Sequence, residues 1–210
     1  MPRQDQHHRN KNYHHHISLT GNHSLRMKRT FIALPVSPSS EWTLLVEKIR
    51  HQLQKQKIKW VKQELLHLTL AFLGDTNEEL INEISRALTG IAPHHHAFTL
   101  SFRGMGLFPD KALWIGIENN TALNQLAEHV HETISHFGFQ HPQMFSPHIT
   151  IGRPKEKGLT PVITHALAPY QNHLIHRQEI TQFSFYESIF SREGPEYRPI
   201  ASYALTEKST

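Results

Sequence analysis

Two tetrapeptides of one pattern, His67-Leu68-Thr69-Leu70 and His148-Ile149-Thr150-Ile151, constrain this chain more than any bulk property does. Each reads histidine, apolar, threonine, apolar. On an extended strand successive side chains point to opposite faces, so His67 and Thr69 share one face while Leu68 and Leu70 share the other. The same holds for His148 and Thr150. Each strand then buries one face and presents an imidazole and a hydroxyl on the other. Two such strands can bring two imidazoles and two hydroxyls to a common cleft, equipment that suits acid-base work on a phosphodiester better than it suits packing.

At 210 residues the chain allows one domain, or two lobes sharing a core, and can bury a substantial interior without staples. It has no cysteine, which fits a reducing compartment without requiring one. No apolar run approaches the roughly 18 residues needed to span a bilayer, and the polar start lacks a signal-peptide core. A soluble cytoplasmic protein is the expectation. The net charge of +4 is concentrated at the start, where Arg3, Arg9, Lys11, Arg26, Lys28 and Arg29 face only Asp5. The remainder is therefore close to neutral, and only a local cluster can argue for a polyanionic partner. Lys55, Lys57, Lys59 and Lys62 precede the first motif; Arg153, Lys155 and Lys157 follow the second. Such runs are usually solvated surface, but their placement beside the motifs favours a phosphate-bearing ligand.

Residues 1–26 show no period and many histidines, and read as a disordered extension with Met27 as the expected true start. The folded part is expected over 27–210. Thr30 to Leu34 reads as a strand; Ser37-Pro38 then predicts an N-cap and first helical position, with Trp42, Leu45, Val46, Ile49 and Leu53 on one helical stripe. After the strand centred on His67, Thr76 and Glu79 have capping-box spacing before a helix presenting Leu80, Ile84, Ala87 and Leu88. Ala97 to Arg103 and Ala112 to Ile117 read as paired strands. Leu123, Leu126, Ala127, Val130 and Ile134 mark a third helix, ended by Gly138. The His148 strand, a short helix from Thr160-Pro161 and strands around Ile180 to Ile189 and Tyr197 to Leu205 complete the order. It predicts an α+β fold of two related lobes whose sheets face across a cleft, with the motif strands as inner walls.

With nineteen histidines, no single one is evidence. His16-Ile17-Ser18-Leu19 mimics the motif within the tail, and His131-Glu132-Thr133 mimics it on a predicted helix, where residues two apart do not share a face. His14-His15-His16 and His94-His95-His96 invite a metal reading, but adjacent residues diverge and no thiolates or spaced carboxylates accompany them. Surface enrichment is the preferred reading, and no metal is expected. For His67 and His148 taken singly, hydrogen-bonded histidines on half-buried strands would be the ordinary explanation. Duplication with identical spacing turns the balance. Imidazole titrates near neutrality, so one ring can act as acid while the other acts as base. Threonine hydroxyls can donate to phosphate oxygens and a nearby arginine can offset charge building up in phosphoryl transfer.

These residues resemble the 2H phosphoesterase superfamily, named for its two HxTx motifs, and within it the bacterial and archaeal RNA 2′,3′-cyclic phosphodiesterases formerly called 2′-5′ RNA ligases. The resemblance runs from about Met27 to the C-terminus. It includes Lys28 to Ala33, Trp60-Val61, Leu66 to Gly74, Gly104 to Pro109, Phe145 to Arg153 and the stretch from Ser188 to Tyr197. The segment Lys62-Gln63-Glu64-Leu65-Leu66 departs from relatives, where proline and asparagine are common, and should alter the approach to the strand more than the chemistry. The resemblance implies a bilobal fold with a pseudo-twofold axis through the cleft and helices outside. It implies His67 as proton donor to the departing ribose 3′ oxygen and His148 as the base activating water. Thr69, Thr150 and Arg153 would hold the phosphate, without a cofactor. It also implies RNA ends carrying a 2′,3′-cyclic phosphate as substrate, a 2′-phosphate product, reversal to a 2′-5′ linkage, and a monomer. Base contacts would come from neighbouring loops, with Phe72 and Phe145 as candidate stacking platforms, although both could equally serve the core. Two other readings stay open: a phosphodiesterase of small cyclic nucleotides or 2′-5′ oligoadenylates, and a non-catalytic module that binds RNA ends.

Overall fold

The computed structural model describes residues 26–140, 144–192 and 194–207, so the expected N-terminal extension, with its two histidine decoys, lies outside the described residues except for Arg26. Four strands, β1 (Met27–Pro35), β3 (His67–Asn77), β8 (Gln182–Ser191) and β9 (Gly194–Ala204), form one sheet in the order β3-β1-β8-β9. The other five, β2 (Ile58–Trp60), β4 (Phe98–Phe108), β5 (Ala112–Ile117), β6 (His148–Pro154) and β7 (Leu174–Ile180), form a second sheet in the order β2-β6-β5-β4-β7. Every strand pair in both sheets is antiparallel. Sequence pattern missed β2, which has three residues, and β7, which carries exposed Arg177 and Glu179 between its apolar ends.

Helices α2 (Glu78–Thr89) and α3 (Thr121–Ser135) pack against the first sheet, whereas α1 (Ser40–Gln52) and α4 (Thr160–Leu167) pack against the second. The lobes are thus interleaved, not successive halves of the chain: β1 belongs to one lobe and the helix that directly follows it to the other. The predicted stripe of α3 is buried throughout, while those of α1 and α2 are buried in part: Leu45, Val46, Leu80 and Ala87 are half-buried, and Ile81, which the pattern did not mark, is buried. Trp42, Ile49 and Leu53 on the α1 side, and Leu123, Leu126, Ala127, Val130 and Ile134 on α3, are at most 1 % exposed and join one continuous core. Full burial of each such side chain contributes roughly 1.5–3 kcal/mol.

Two caps differ from expectation. The N-cap of α1 is Ser39, whose Oγ accepts from the Trp42 N–H at 3.2 Å. Ser37 is instead held by the neighbouring lobe: its N–H donates to Gln178 Oε1 at 2.9 Å while Gln178 Nε2 donates to the Pro35 carbonyl at 3.1 Å. The N-cap of α2 is Asn77, which accepts from Leu80 N–H at 2.8 Å. Thr76 is buried and its hydroxyl meets that of Thr30 at 2.9 Å, so strand pairing claims the residue that spacing assigned to a capping box.

The motif strands carry matching irregularities. In β3, Ala33 pairs with Thr69 but Ile32 pairs with Ala71, so Leu70 is an extra residue in the ladder. In β6, Trp114 pairs with Thr150 but Leu113 pairs with Gly152, so Ile151 is the extra residue. Each of these two bulges falls on the fourth motif position; β3 carries a further one, with Leu73 extra between the Thr30–Gly74 and Phe31–Phe72 pairs. The freed carbonyls are satisfied from outside the pair: Leu70 O accepts from His131 Nε2 at 2.7 Å and Ile151 O from Val61 N–H at 3.0 Å. His131, the helical decoy, is 5 % exposed and fastens α3 to the back of the first motif. Replacing His131 with alanine leaves a buried carbonyl without that donor and is expected to lower stability by about 1–3 kcal/mol in denaturant unfolding; an unchanged midpoint would show the bond to be dispensable.

Candidate active site

The cleft between the sheets encloses about 520 Å³ and is lined by both motifs, with His67, Thr69, His148 and Thr150 all facing it. The motif strand β3 is the edge of its sheet, and β6 is one strand in from the edge of the other. Arg153, Phe72, Arg29, Lys59, Lys62 and Lys155 also line the cleft, and among the described residues its lining contains no carboxylate. Of the lysines flagged on either side of the motifs, Lys57 is instead paired with Glu156 at 3.3 Å.

Bulging explains which neighbours reach the cleft. Simple alternation sends the third residue after a motif threonine to the opposite face; one extra residue reverses that parity. Phe72 is therefore returned to the face of Thr69, and Arg153 to the face of Thr150. The two occupy equivalent positions in the two motifs, one aromatic and one cationic.

Both imidazoles are held alike. His67 Nδ1 lies 2.7 Å from the Leu65 carbonyl and His148 Nδ1 lies 2.9 Å from the Ser146 carbonyl, each two residues upstream. A carbonyl only accepts, so Nδ1 must carry the proton and donate, leaving Nε2 as the atom available to the cleft. The divergent segment before the first motif forms a 3-10 turn, Gln63–Leu65, that delivers this Leu65 carbonyl, and Gln63 Nε2 donates to Thr43 Oγ1 on α1 at 2.9 Å.

Aromatic rings complete the support. His67 sits against Phe31 and Tyr197, with centroids 5.0 and 5.1 Å away. His148 meets the edge of Phe108 at 5.0 Å, and Phe108 in turn packs on Trp114 at 5.6 Å. Trp114 lies so close over Gly106 that a Cβ there would come within 2.2 Å of Cζ2, which accounts for glycine at that position. Burial pushes the His67 pKa down; the Leu65 carbonyl opposes this, while Arg153 and His148 reinforce it. The empty site favours a neutral His67. Tyr197 is pushed up by burial, against the pull of Arg153 and Arg29, and keeps its hydroxyl protonated.

Of the candidate catalytic, phosphate-binding and stacking residues, Phe145 does not line the cleft: it packs on the core and meets His131 edge-on, with centroids 5.9 Å apart. Arg29, Ser188, Phe190 and Tyr197 line it without having been singled out. All four fall inside stretches that carried the family resemblance, Arg29 in Lys28 to Ala33 and the others in Ser188 to Tyr197. A second cavity of about 560 Å³ opens on the other side of His67, sharing Phe31, Leu65 and Tyr197 and adding Glu64 and Tyr186. His94 and His95 cluster with His129, where His95 Nε2 lies 3.1 Å from His129 Nδ1. Among the described residues no group of three or more histidines or carboxylates is arranged to hold a metal ion.

Residues 32–114 match the family model described as LigT like Phosphoesterase. An Archaeoglobus fulgidus protein named RNA 2′,3′-cyclic phosphodiesterase is 31 % identical over 180 residues, covering 82 % of this chain and 97 % of that one. A Thermotoga maritima protein of the same name is 38 % identical over 133 residues, covering 60 % and 70 %. The crystal structure of E. coli LigT complexed with 3′-AMP superposes with a TM-score of 0.66 at 27 % identity, covering 87 % of this chain and all of that one. Near-complete overlap with a relative above 30 % identity, on a bilobal fold that brings both HxTx motifs to one cleft, makes this chain a member of the LigT-like phosphoesterase family.

Proposed function

We propose that the protein hydrolyses RNA 2′,3′-cyclic phosphate ends to 2′-phosphates by metal-independent acid-base catalysis between His67 and His148. The observation that carries this reading is the shared cleft: two imidazoles, each with Nδ1 tied to a carbonyl and Nε2 left for chemistry, in a lining rich in hydroxyls and cations. The relatives are named RNA 2′,3′-cyclic phosphodiesterases, which supports the substrate class.

In this mechanism Thr69 and Thr150 donate hydrogen bonds to the non-bridging oxygens and Arg153 offsets the negative charge that accumulates in the transition state. Neutral His148 accepts a proton from water through Nε2 as the water oxygen bonds to phosphorus. Protonated His67 gives its Nε2 proton to the ribose 3′ oxygen as the P–O3′ bond breaks. The products are a 2′-phosphomonoester and a free 3′-hydroxyl, and the two rings have exchanged protonation states. With a 5′-hydroxyl in place of water as the attacking oxygen, the same transfers in the same direction join two RNA ends through a 2′-5′ linkage, the 5′-hydroxyl proton going to His148 and the His67 proton to the departing 3′ oxygen. Both acid and base are imidazoles, so the transfers need no metal-bound water. Both motifs come from one chain, so a monomer suffices. Phe72, on the cleft face beside Thr69, is placed to stack on the terminal base.

Replacing either His67 or His148 with alanine is expected to lower kcat on a 2′,3′-cyclic-phosphate dinucleotide by about 10²–10⁴-fold while the fold is retained. Activity should survive exhaustive chelation, and product analysis should find the 2′-phosphate. A 3′-phosphate product would reverse the roles of the two rings, and loss on chelation with recovery on zinc or manganese would end the proposal. Turnover of any kind excludes a purely binding role.

The pH profile follows from the direction of the His67 shift. Burial and nearby cations favour its uncharged form, so the free enzyme acquires the required proton only below the ordinary imidazole value of 6.5. One apparent pKa of the pair in kcat/KM is therefore expected below that value. A bound phosphodiester anion counters Arg153, so the corresponding value in kcat should lie higher. A rate flat from about pH 5 to 8 would be incompatible with two titrating imidazoles.

A further inference from the structure

Beyond the two motifs, the cleft face of the first sheet carries a row of side chains with no part in the proton transfers. Arg29 on β1 stands opposite Ser188 on β8, and alternation along β8 sets Phe190 on the same side as Ser188. Arg29 Cζ lies 4.8 Å from the centroid of Phe72 and 5.6 Å from that of Phe190, so one guanidinium engages both rings. Phe72 and Phe190 nevertheless remain 55 % and 67 % exposed. Large aromatic rings left this open at the mouth of a cationic cleft lower no packing energy where they stand; they need a flat partner that also tolerates positive charge.

A nucleobase with its phosphate is such a partner, since ring faces stack and the guanidinium meets the backbone. Resting on the cyclic-phosphate reading, we infer that Phe72, Arg29 and Phe190 form a track for the RNA strand on the 5′ side of the reacting end, so that the enzyme acts on oligonucleotides in preference to mononucleotides. A 2′,3′-cyclic phosphate terminates its chain, so the strand leaves the site in one direction only. Two directions are open past His67. The second cavity has no lysine or arginine in its lining and presents Glu64. The other direction carries Arg29, Lys59, Lys62 and Lys155. Charge complementarity sends the polyanion along the second path. The equivalence of the two bulges gives the same sense: Arg153 takes the reacting phosphate on one side, and its counterpart Phe72 begins the track on the other. Phe72 takes the terminal base, Arg29 the phosphodiester behind it, and Phe190 the preceding base.

The track is tested by comparing kcat/KM for a trinucleotide ending in a 2′,3′-cyclic phosphate with that for the matching 2′,3′-cyclic mononucleotide. The wild-type protein should favour the trinucleotide, and Phe190→Ala should reduce that preference about tenfold through KM. Phe190→Trp should restore it, which a loss of structure would not allow. Equal kcat/KM on the two substrates in the wild-type protein, or an equal loss on both in Phe190→Ala, overturns the track while leaving the hydrolytic reading intact. A wild-type protein that turns over neither substrate removes the reading, and the track falls with it.

Discussion

An extra residue at the fourth position of each motif organises this site. A regular strand could present the histidine and threonine of either motif, but the next useful residue would be two positions on and the third would face the core. Inserting Leu70 and Ile151 into the ladders breaks that parity and delivers Phe72 and Arg153 to the cleft. The cost of each insertion is a carbonyl without its ladder partner, a loss that matters most where water is excluded. His131 and Val61 supply the missing donors from a helix and a neighbouring strand. Bulges next to active sites are widely used to re-aim side chains. Here the device occurs twice at the same motif position, which explains why the fourth residue of the motif is apolar and buried in both copies.

The motifs were legible in the sequence because their chemistry and their period coincide: polar groups two apart, with apolar groups between them. The helix stripes were legible for the same reason, as Trp42, Ile49, Leu126 and Val130 repeat at the helical period and are buried. What did not follow from local pattern was pairing. A capping box and a buried threonine present identical sequence, and the hydroxyl of Thr30, 46 residues away, decided between them for Thr76. Ser37-Pro38 has the composition of a helix start, yet a glutamine on β7 claims the serine N–H. Phe72 and Phe145 stood equally as stacking candidates, each three residues from a motif threonine or histidine. The bulge at Leu70 returns Phe72 to the cleft, whereas Phe145, upstream of β6, packs on the core beside His131. Arg29 and Phe190 lay within the stretches that resemble the family but in no recognisable pattern of their own, because their meaning comes from lying beside each other on adjacent strands.

The electrostatics of the cleft also depend on more than the two histidines. Arg153 and the second imidazole both disfavour charge on His67, and burial does so more strongly. In the proposed mechanism the acid, whose burial favours its neutral form, is protonated most readily when a substrate anion balances the neighbouring cations. This links proton loading to substrate binding: the phosphodiester that must be cleaved is also the charge that makes the acid available. A lining without carboxylates serves the same coupling, since a resident acid would hold the proton on His67 in the absence of substrate.

Such coupling requires the two imidazoles to keep their relation to one phosphorus atom, although they are carried by different sheets. Interleaving of the lobes answers that requirement. The chain passes from β1 in one sheet directly to α1 on the other, and Gln178 of the second sheet grips both the last carbonyl of β1 and the N–H of Ser37. Independent halves joined by a single linker would leave the cleft width to a hinge, whereas strands and helices exchanged between lobes tie it to the common core. Proton transfer through Nε2 of both rings tolerates little variation in donor–acceptor distance. In the proposed mechanism the interleaved topology therefore matters as much as the histidines do, because it holds the two motifs in a site of fixed dimensions.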